Sequence, residues 1–156
     1  MKFYVDQTLG TLAKWLRLLG FDTEPIQLPP RGQARLPGRQ PGVYFLSRQA
    51  AWAARQPRPD LLVLTASDVE GQCMEVCRRL QLTPETWQPL QRCSDCNEPL
   101  QTLPHDQAEG RVPDYIFAQH RDFRTCPRCR RVFWDGTHQR RIRQRWQELV
   151  QRAKTA

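Results

Sequence analysis

Two cysteine pairs constrain the fold of this chain more than any other feature of its sequence. Cys93 and Cys96 form one Cys-x-x-Cys pair, Cys126 and Cys129 form the other, and 29 residues lie between the pairs. Each pair can bind one ion through two thiolates, and two pairs complete a tetrahedral four-thiolate site. Four protein ligands leave no open position, so we predict a structural Zn²⁺ in a zinc ribbon rather than a catalytic metal. Free thiols or redox pairs are the alternatives.

The first half of the chain alternates short apolar runs with helical patterns. The runs are Phe3–Val5, Val43–Leu46 and Leu61–Leu64. Continuous apolar strands are typical of a sheet that is buried on both faces, and helices between such strands form βαβ crossovers. The predicted fold class is therefore α/β, with a parallel sheet flanked by helices, followed by the zinc ribbon and a terminal helix.

The first helix has the clearest periodicity. Thr8 is placed to cap it, and Gly20 is placed to end it in the left-handed conformation. Lys14 and Arg17 fall outside its apolar stripe. The stripe recurs at helical spacing and consists of Leu9, Leu12, Ala13, Leu16 and Leu19.

A later helix is predicted from about Ser67 to Leu80, with Ser67 or Asp68 as its N-cap. Its inward face carries the two remaining cysteines, Cys73 and Cys77. We interpret this pair as small buried hydrophobic residues, and a metal or redox role is the alternative.

The segment 25–42 is rich in proline and arginine and contains no Asp or Glu. We predict a long basic loop there rather than a helix. The cysteine pairs begin after Pro89, so we place a boundary near residue 91 and divide the chain into units 1–90 and 91–156. The second unit ends in a helix predicted over residues 137–153, with an apolar stripe of Ile142, Trp146, Leu149, Val150 and Ala153.

Basic charge is concentrated at the end of the chain. The formal net charge is +8, and the last 36 residues alone hold 11 basic and 3 acidic side chains. A nucleic-acid surface and a solvated arginine-rich helix explain this surplus equally well. No run of 18 apolar residues exists and an acid follows the N-terminus closely, so we expect a cytoplasmic protein without a membrane span.

Several segments together resemble the Mut7-C ribonuclease domain family. The opening residues carry the first part of this resemblance, and the region of the second cysteine pair carries the last part. The similar segments are 1–6, 9–23, 67–72, 112–115, 123–129 and 132–138. The resemblance covers most of the chain and leaves residues 25–42 as a gap.

The resemblance implies a PIN-like nuclease fold joined to a zinc ribbon. It also implies cleavage of single-stranded RNA by carboxylates that hold Mg²⁺ or Mn²⁺, since hard divalent ions prefer oxygen ligands. Asp6 ends the first strand and Asp68 follows the third, so these two are the candidate catalytic metal ligands. For each of them, a helix-capping role is the alternative.

Two acids that the resemblance implies are absent here. The second strand is followed by Ser47-Arg48-Gln49, where the family pattern has Thr-Arg-Asp, and segment 25–42 holds no acid. We therefore expect weak divalent binding, with Asp22 or Glu24 as possible compensating ligands. A catalytically degenerate RNA-binding module is the second hypothesis, and a protein-interaction component with an acidic partner is the third.

Candidate RNA-contacting residues are basic side chains close to these motifs. Arg31, Arg35 and Arg39 would assist them. The candidates are Lys14, Arg17, Arg48, Arg140, Arg141, Arg143 and Arg145.

The three histidines carry less information. His105 and His120 lie in polar sequence surroundings and are expected at the surface. Local hydrogen bonding is the preferred role for His138, with support of the zinc site or contact with nucleic acid as the alternatives.

Overall fold

The computed structural model describes residues 1–29 and 35–155 of the 156-residue chain. It contains seven strands and five α-helices within those residues. The strands are β1 (Lys2–Asp6), β2 (Asp22–Ile26), β3 (Val43–Ser47), β4 (Leu61–Val63), β5 (Gln101–Leu103), β6 (Phe123–Thr125) and β7 (Val132–Phe133). The helices are α1 (Gly10–Leu18), α2 (Ala50–Arg55), α3 (Val69–Leu80), α4 (Asp114–Gln119) and α5 (Thr137–Thr155).

A four-stranded parallel sheet with the order β2-β1-β3-β4 forms the centre of the first lobe. Helices α1, α3 and α5 pack on one face of the sheet, and α2 packs on the other. Both faces are therefore buried, which explains the continuous apolar runs of the strands. The predicted α/β class is confirmed.

Strand β2 was not predicted, because Pro25 lies within it. Proline lacks the N–H that a central strand needs, but β2 is an edge strand and tolerates it. The predicted loop 25–42 is therefore wrong for Pro25 and Ile26. Residues 27–29 and 35–42 form no helix or strand, as predicted, and Arg31 lies outside the described residues.

The apolar stripe of α1 is buried as predicted, but the helix begins differently. A 3-10 turn over Gln7–Leu9 precedes it, and the side chain of Asp6, not that of Thr8, caps this turn. Gly20 adopts a φ of +94°, and a Cβ at this position would lie 2.0 Å from the carbonyl oxygen of Gln88. Only glycine fits this left-handed, closely packed end of the helix.

Helix α5 packs in the core of the first lobe. Its Trp146 is fully buried, with ring centroids 6.2 Å from Trp15 and 6.3 Å from Trp87. The predicted stripe of this helix is confirmed, with Ala153 partly buried at its end. The division into units 1–90 and 91–156 stays a prediction, and the helix assigned there to the second unit contributes to the core of the first lobe.

The second lobe contains a three-stranded antiparallel sheet with the order β5-β6-β7. Helix α4 covers a small core built around Leu103, Ile116 and Phe123. In the part of the chain that the structure describes, no helix is both long enough and apolar enough to cross a membrane.

Candidate functional site

Asp6 lies at the carboxyl end of β1, in the middle of the parallel sheet, and is only 4% exposed. Its Oδ1 accepts a hydrogen bond from the Thr8 backbone N–H at 3.2 Å. Its Oδ2 accepts from the Ser47 hydroxyl at 3.1 Å and from the Gln49 amide at 3.0 Å. Strands β1 and β3 are parallel neighbours, so their carboxyl ends bring these side chains to one edge of the sheet.

Gln49 occupies the position where the resemblance implies an acid, and its side chain faces Asp6. Its Nε2 also donates to the Leu28 carbonyl at 3.3 Å, and its backbone N–H donates to the Ser47 hydroxyl at 3.1 Å. The Gln49 amide therefore donates a hydrogen bond to the Asp6 carboxylate. An acid at this position would instead offer a second carboxylate to a bound cation. In the described residues, the Asp6 carboxylate accepts hydrogen bonds from Thr8, Ser47 and Gln49.

Asp68 is exposed and caps α3, where its Oδ1 accepts from the Gly71 backbone N–H at 2.9 Å. Both candidate metal-binding aspartates thus make the cap contacts that were the alternative interpretation of each. Among the described residues, the cysteines form the only group of three or more His, Cys, Asp or Glu side chains whose ligand atoms converge. A cluster of three carboxylates is absent from the described part of the sheet edge.

Arg48 is exposed beside this edge and lines a pocket of about 270 Å³. The same pocket is lined by three residues that carry hydroxyl groups, Thr8, Thr11 and Ser67. Arg48 has no carboxylate partner in residues 1–29 and 35–155. A guanidinium among hydroxyl groups offers the donors that a phosphate oxygen accepts.

Glu75 is a buried acid at the same end of the sheet that the sequence did not reveal. Its carboxylate accepts from the Thr65 hydroxyl at 2.8 Å and from the Ala66 backbone N–H at 2.7 Å. Burial raises the pKa of Glu75, but these hydrogen bonds and nearby Arg79 outweigh burial and bring its pKa below the ordinary value. Glu75 is an ionised acid that holds the loop after β4 against α3.

The four cysteines of the pairs converge, with all four sulfur atoms within 4.8 Å of one another. The Cys93 and Cys129 sulfurs are 3.7 Å apart. Tetrahedral zinc with bonds of about 2.3 Å places its sulfur ligands about 3.8 Å apart. These cysteines could therefore bind a metal such as zinc.

The two cysteine loops repeat one backbone geometry. Backbone N–H groups of Cys96 and Cys129 donate to the sulfurs of Cys93 and Cys126, at 3.4 and 3.5 Å. The residue that follows each pair, Asn97 or Arg130, has a φ of 63° or 61°. N–H donors stabilise thiolate charge, so each loop is prepared for a metal ion.

Cys73 and Cys77 are buried in the main core, as predicted. Burial raises the pKa of both thiols, and that of Cys77 reaches about 12. Both are protonated at neutral pH and chemically inert.

Arg17 connects the first lobe to the first cysteine loop. It is 7% exposed and donates to the carbonyl of Thr23 at 2.9 Å and to those of Ser94 and Asp95 at 3.1 and 3.0 Å. Arg17 falls outside the apolar stripe of α1, as predicted, but it is nevertheless buried, and these three carbonyls compensate its charge. We therefore leave Arg17 out of the RNA surface proposed below.

Most arginines of α5 are paired with acids. Arg140 and Arg143 both reach Asp135, and Arg145 contacts Glu70 and Glu148. The hydrogen bonds that the Arg145 guanidinium donates to Glu70 and Glu148 raise its pKa above the ordinary value. Arg141 is exposed and has no carboxylate partner among the described residues. The free positive charge of this helix is smaller than its composition indicates.

The two histidines expected at the surface are half-buried. The ring of His105 stacks on Phe117 at 4.1 Å, and its Nε2 lies 3.1 Å from the Phe117 carbonyl oxygen. The ring of His120 lies 6.5 Å from Trp134. Packing against aromatic rings of the second lobe explains the partial burial of both histidines. Their polar sequence neighbours had predicted exposed side chains.

Comparison with known proteins identifies one family. The family model described as the Mut7-C RNAse domain matches residues 1–146. No curated protein and no solved structure matches the chain.

Proposed function

Because this chain belongs to the Mut7-C RNAse domain family, we propose that it binds single-stranded RNA and cleaves it slowly, in a reaction that needs a divalent ion at Asp6. The family supports a ribonuclease-like function. The observation that carries the finer proposal is the buried Asp6 carboxylate at the carboxyl edge of a parallel sheet, where α/β proteins usually bind their ligands. In this proposal the first lobe is PIN-like and the protein is cytoplasmic.

Asp6 and Asp68 are the carboxylates that we assign to a Mg²⁺ or Mn²⁺ ion. When bound, such an ion supplies charge stabilisation to phosphoryl oxygens and lowers the pKa of a water molecule. Asp68 uses only Oδ1 for its cap, and its other oxygen accepts no hydrogen bond from the described residues. Two carboxylates give less negative charge than the family pattern, so we expect weak affinity.

Gln49 weakens the site further. Its amide donates to the same oxygen of Asp6 that also accepts from Ser47. Access of a cation to that oxygen requires the amide to turn away, which breaks its bonds to Asp6 and to the Leu28 carbonyl. Slow cleavage follows from this competition.

Arg48 and Arg141 are the cations that we assign to RNA phosphates. Both are exposed and have no carboxylate partner in the described part of the chain, unlike Arg143 and Arg145. Arg48 also lies in the pocket beside Asp6, where it would orient the phosphate next to the ion. The proposed zinc would serve only to fold the second lobe, since four thiolates leave no position for substrate.

The test is cleavage of a single-stranded RNA in the presence of Mn²⁺ by wild type and by Asp6→Asn. We expect slow cleavage by wild type and none by the variant, because asparagine keeps the shape and loses the charge. Equal rates for the two proteins would reject Asp6 as the metal ligand. Circular dichroism and zinc content verify that the variant is folded.

A second candidate function, RNA binding without cleavage, is favoured by the Gln49–Asp6 hydrogen bond. In this case wild type binds RNA but cleaves none of it, with or without Mn²⁺. Each phosphate contact on a single strand adds about 0.7 to the slope of log affinity against log salt. Arg48→Gln or Arg141→Gln should reduce that slope, whereas Arg55→Gln on the opposite face of the sheet should not.

A further inference from the structure

A cleft of about 730 Å³ separates α1 from the second lobe. We call it the inter-lobe cleft. Its walls are Lys14 and Trp15 of α1, Tyr115 of α4, and Trp134 and His138 before and within α5. Its volume lies in the range of sites that bind small molecules, about 300–1,000 Å³.

Aromatic rings are available in this cleft. Tyr115 is 64% exposed, and the only other large hydrophobic residue exposed among the described ones is Met1. Trp134 is half-buried against Gly136, where an added Cβ would lie 2.6 Å from the indole Nε1. The missing side chain of Gly136 thus lets the indole lie against the backbone. Unpaired bases stack on aromatic rings, and the exposed Tyr115 ring and the Trp134 ring offer such surfaces in this cleft.

The charge of the inter-lobe cleft is positive. Lys14 lies 3.0 Å from Asp95, and Arg131 pairs with the same carboxylate. Among the described residues, Asp95 is the only acid that lines the cleft, so two cations share one carboxylate. Their side chains are 59% and 66% exposed, which leaves both able to reach a phosphate.

The inter-lobe cleft adjoins the Asp6 edge. Thr11 of α1 lines the inter-lobe cleft and also lines the pocket that contains Arg48 and Thr8. The backbone N–H of Thr8 is bound to Asp6. A strand lying in the cleft can therefore continue past Thr11 toward Arg48 and the candidate active site.

We propose that the inter-lobe cleft binds nucleotides of single-stranded RNA, with bases stacked on Tyr115 and Trp134 and phosphates on Lys14 and Arg131. This inference rests on the function proposed above and adds the site that holds the strand beside Asp6. Duplex RNA is excluded as the ligand, because its bases are stacked on one another and cannot reach the rings. An acidic protein surface would use the cations but leave the aromatic rings without a partner.

The test is fluorescence anisotropy of a labelled ten-nucleotide single-stranded RNA, measured without divalent ions. Tyr115→Ala should weaken binding by roughly 5- to 150-fold, the effect of losing one stacked base, and Tyr115→Phe should retain most of the affinity. Gly136→Ala should also weaken binding, because its methyl group displaces Trp134. Arg131→Gln should lower the salt dependence, with Arg55→Gln as the matched control.

The outcomes separate the two proposals. If wild type binds the RNA and Tyr115→Ala binds it equally well, the cleft is not the site, whereas the proposed function stands. If wild type does not bind the RNA at all, the proposed function itself is wrong. Polyphosphate, which has charge but no bases, should bind wild type and Tyr115→Ala equally. A matching loss of polyphosphate binding in Tyr115→Ala would overturn the stacking role.

Discussion

The cysteine site and the Asp6 edge are the two places in this molecule where a metal ion is expected, and they differ in completeness. The cysteine site has four converging ligands, each loop with an N–H donor on a sulfur. At the carboxyl end of β1, the Gln49 amide and the Ser47 hydroxyl both donate to Oδ2 of the buried Asp6 carboxylate. Because its ligand set is complete, we expect the cysteine site to bind a metal ion tightly and to serve a structural role. At Asp6 we expect weak binding of a divalent ion and slow cleavage of RNA.

The largest effect is expected when the metal that we expect at the cysteine site is removed. Structural zinc contributes about 10–16 kcal/mol of apparent binding energy in small peptides, so the second lobe should unfold without it. Cys126→Ser should lower the zinc content well below one ion per chain and abolish the dispersed amide signals of the second lobe. Cys77→Ala is the matched control and should retain zinc. Full zinc content in Cys126→Ser would contradict the assignment.

The next largest effect is expected at the contact that Arg17 of α1 makes with the first cysteine loop. Arg17→Met should destabilise the protein by about 3 kcal/mol, because three backbone carbonyls lose a charged donor. Lys14→Met on the same helix breaks an exposed ion pair with Asp95 and should cost less than about 1 kcal/mol. Urea unfolding measures both changes, and equal effects would show that Arg17 does not hold the lobes together.

A smaller effect is expected in the pH dependence of the stability that Glu75 contributes. The pKa of Glu75 is lowered in the folded protein, so its stabilisation is present above its unfolded pKa near 4.5 and is lost as pH falls through the folded value. Glu75→Gln should cost about 1–3 kcal/mol at pH 7 and flatten the loss of stability in acid. Because acid also releases a thiolate-bound metal, the informative quantity is the difference between variant and wild type at each pH. If the loss of stability in acid were the same in Glu75→Gln and in wild type, the charge of Glu75 would not stabilise the fold.

Most of the correct predictions came from patterns among residues close to one another in the sequence. The cysteine spacing, the apolar stripes of α1 and α5, and the glycine that ends α1 depend on neighbours within a few residues. Each of these features is present in the structure. Features that depend on distant partners were missed. The edge strand containing Pro25 depends on pairing with β1, and burial of Arg17 depends on carbonyls more than 70 residues away.

The candidate site shows the same limit. The sequence identified Asp6 and the neutral Gln49, but the hydrogen bond between them joins residues 43 positions apart. Only the parallel pairing of β1 with β3 brings them together. Glu75 gave no signal, because its partners are mainly backbone N–H groups and a hydroxyl of the loop after β4.

We propose that Gln49 stands where the resemblance implies an acid and thereby weakens a divalent-ion site at Asp6. Calorimetric titration of the zinc-loaded protein with Mn²⁺ tests it directly, using wild type, Gln49→Asp, and Gln49→Asp combined with Asp6→Asn. Gln91→Asp, an exposed glutamine elsewhere, is the matched control. We expect Gln49→Asp to bind Mn²⁺ at least about tenfold more tightly than wild type, because a carboxylate replaces an amide, and we expect Asp6→Asn to remove that gain. The same weak affinity in wild type and in a correctly folded Gln49→Asp protein would show that Gln49 does not weaken a divalent-ion site at Asp6.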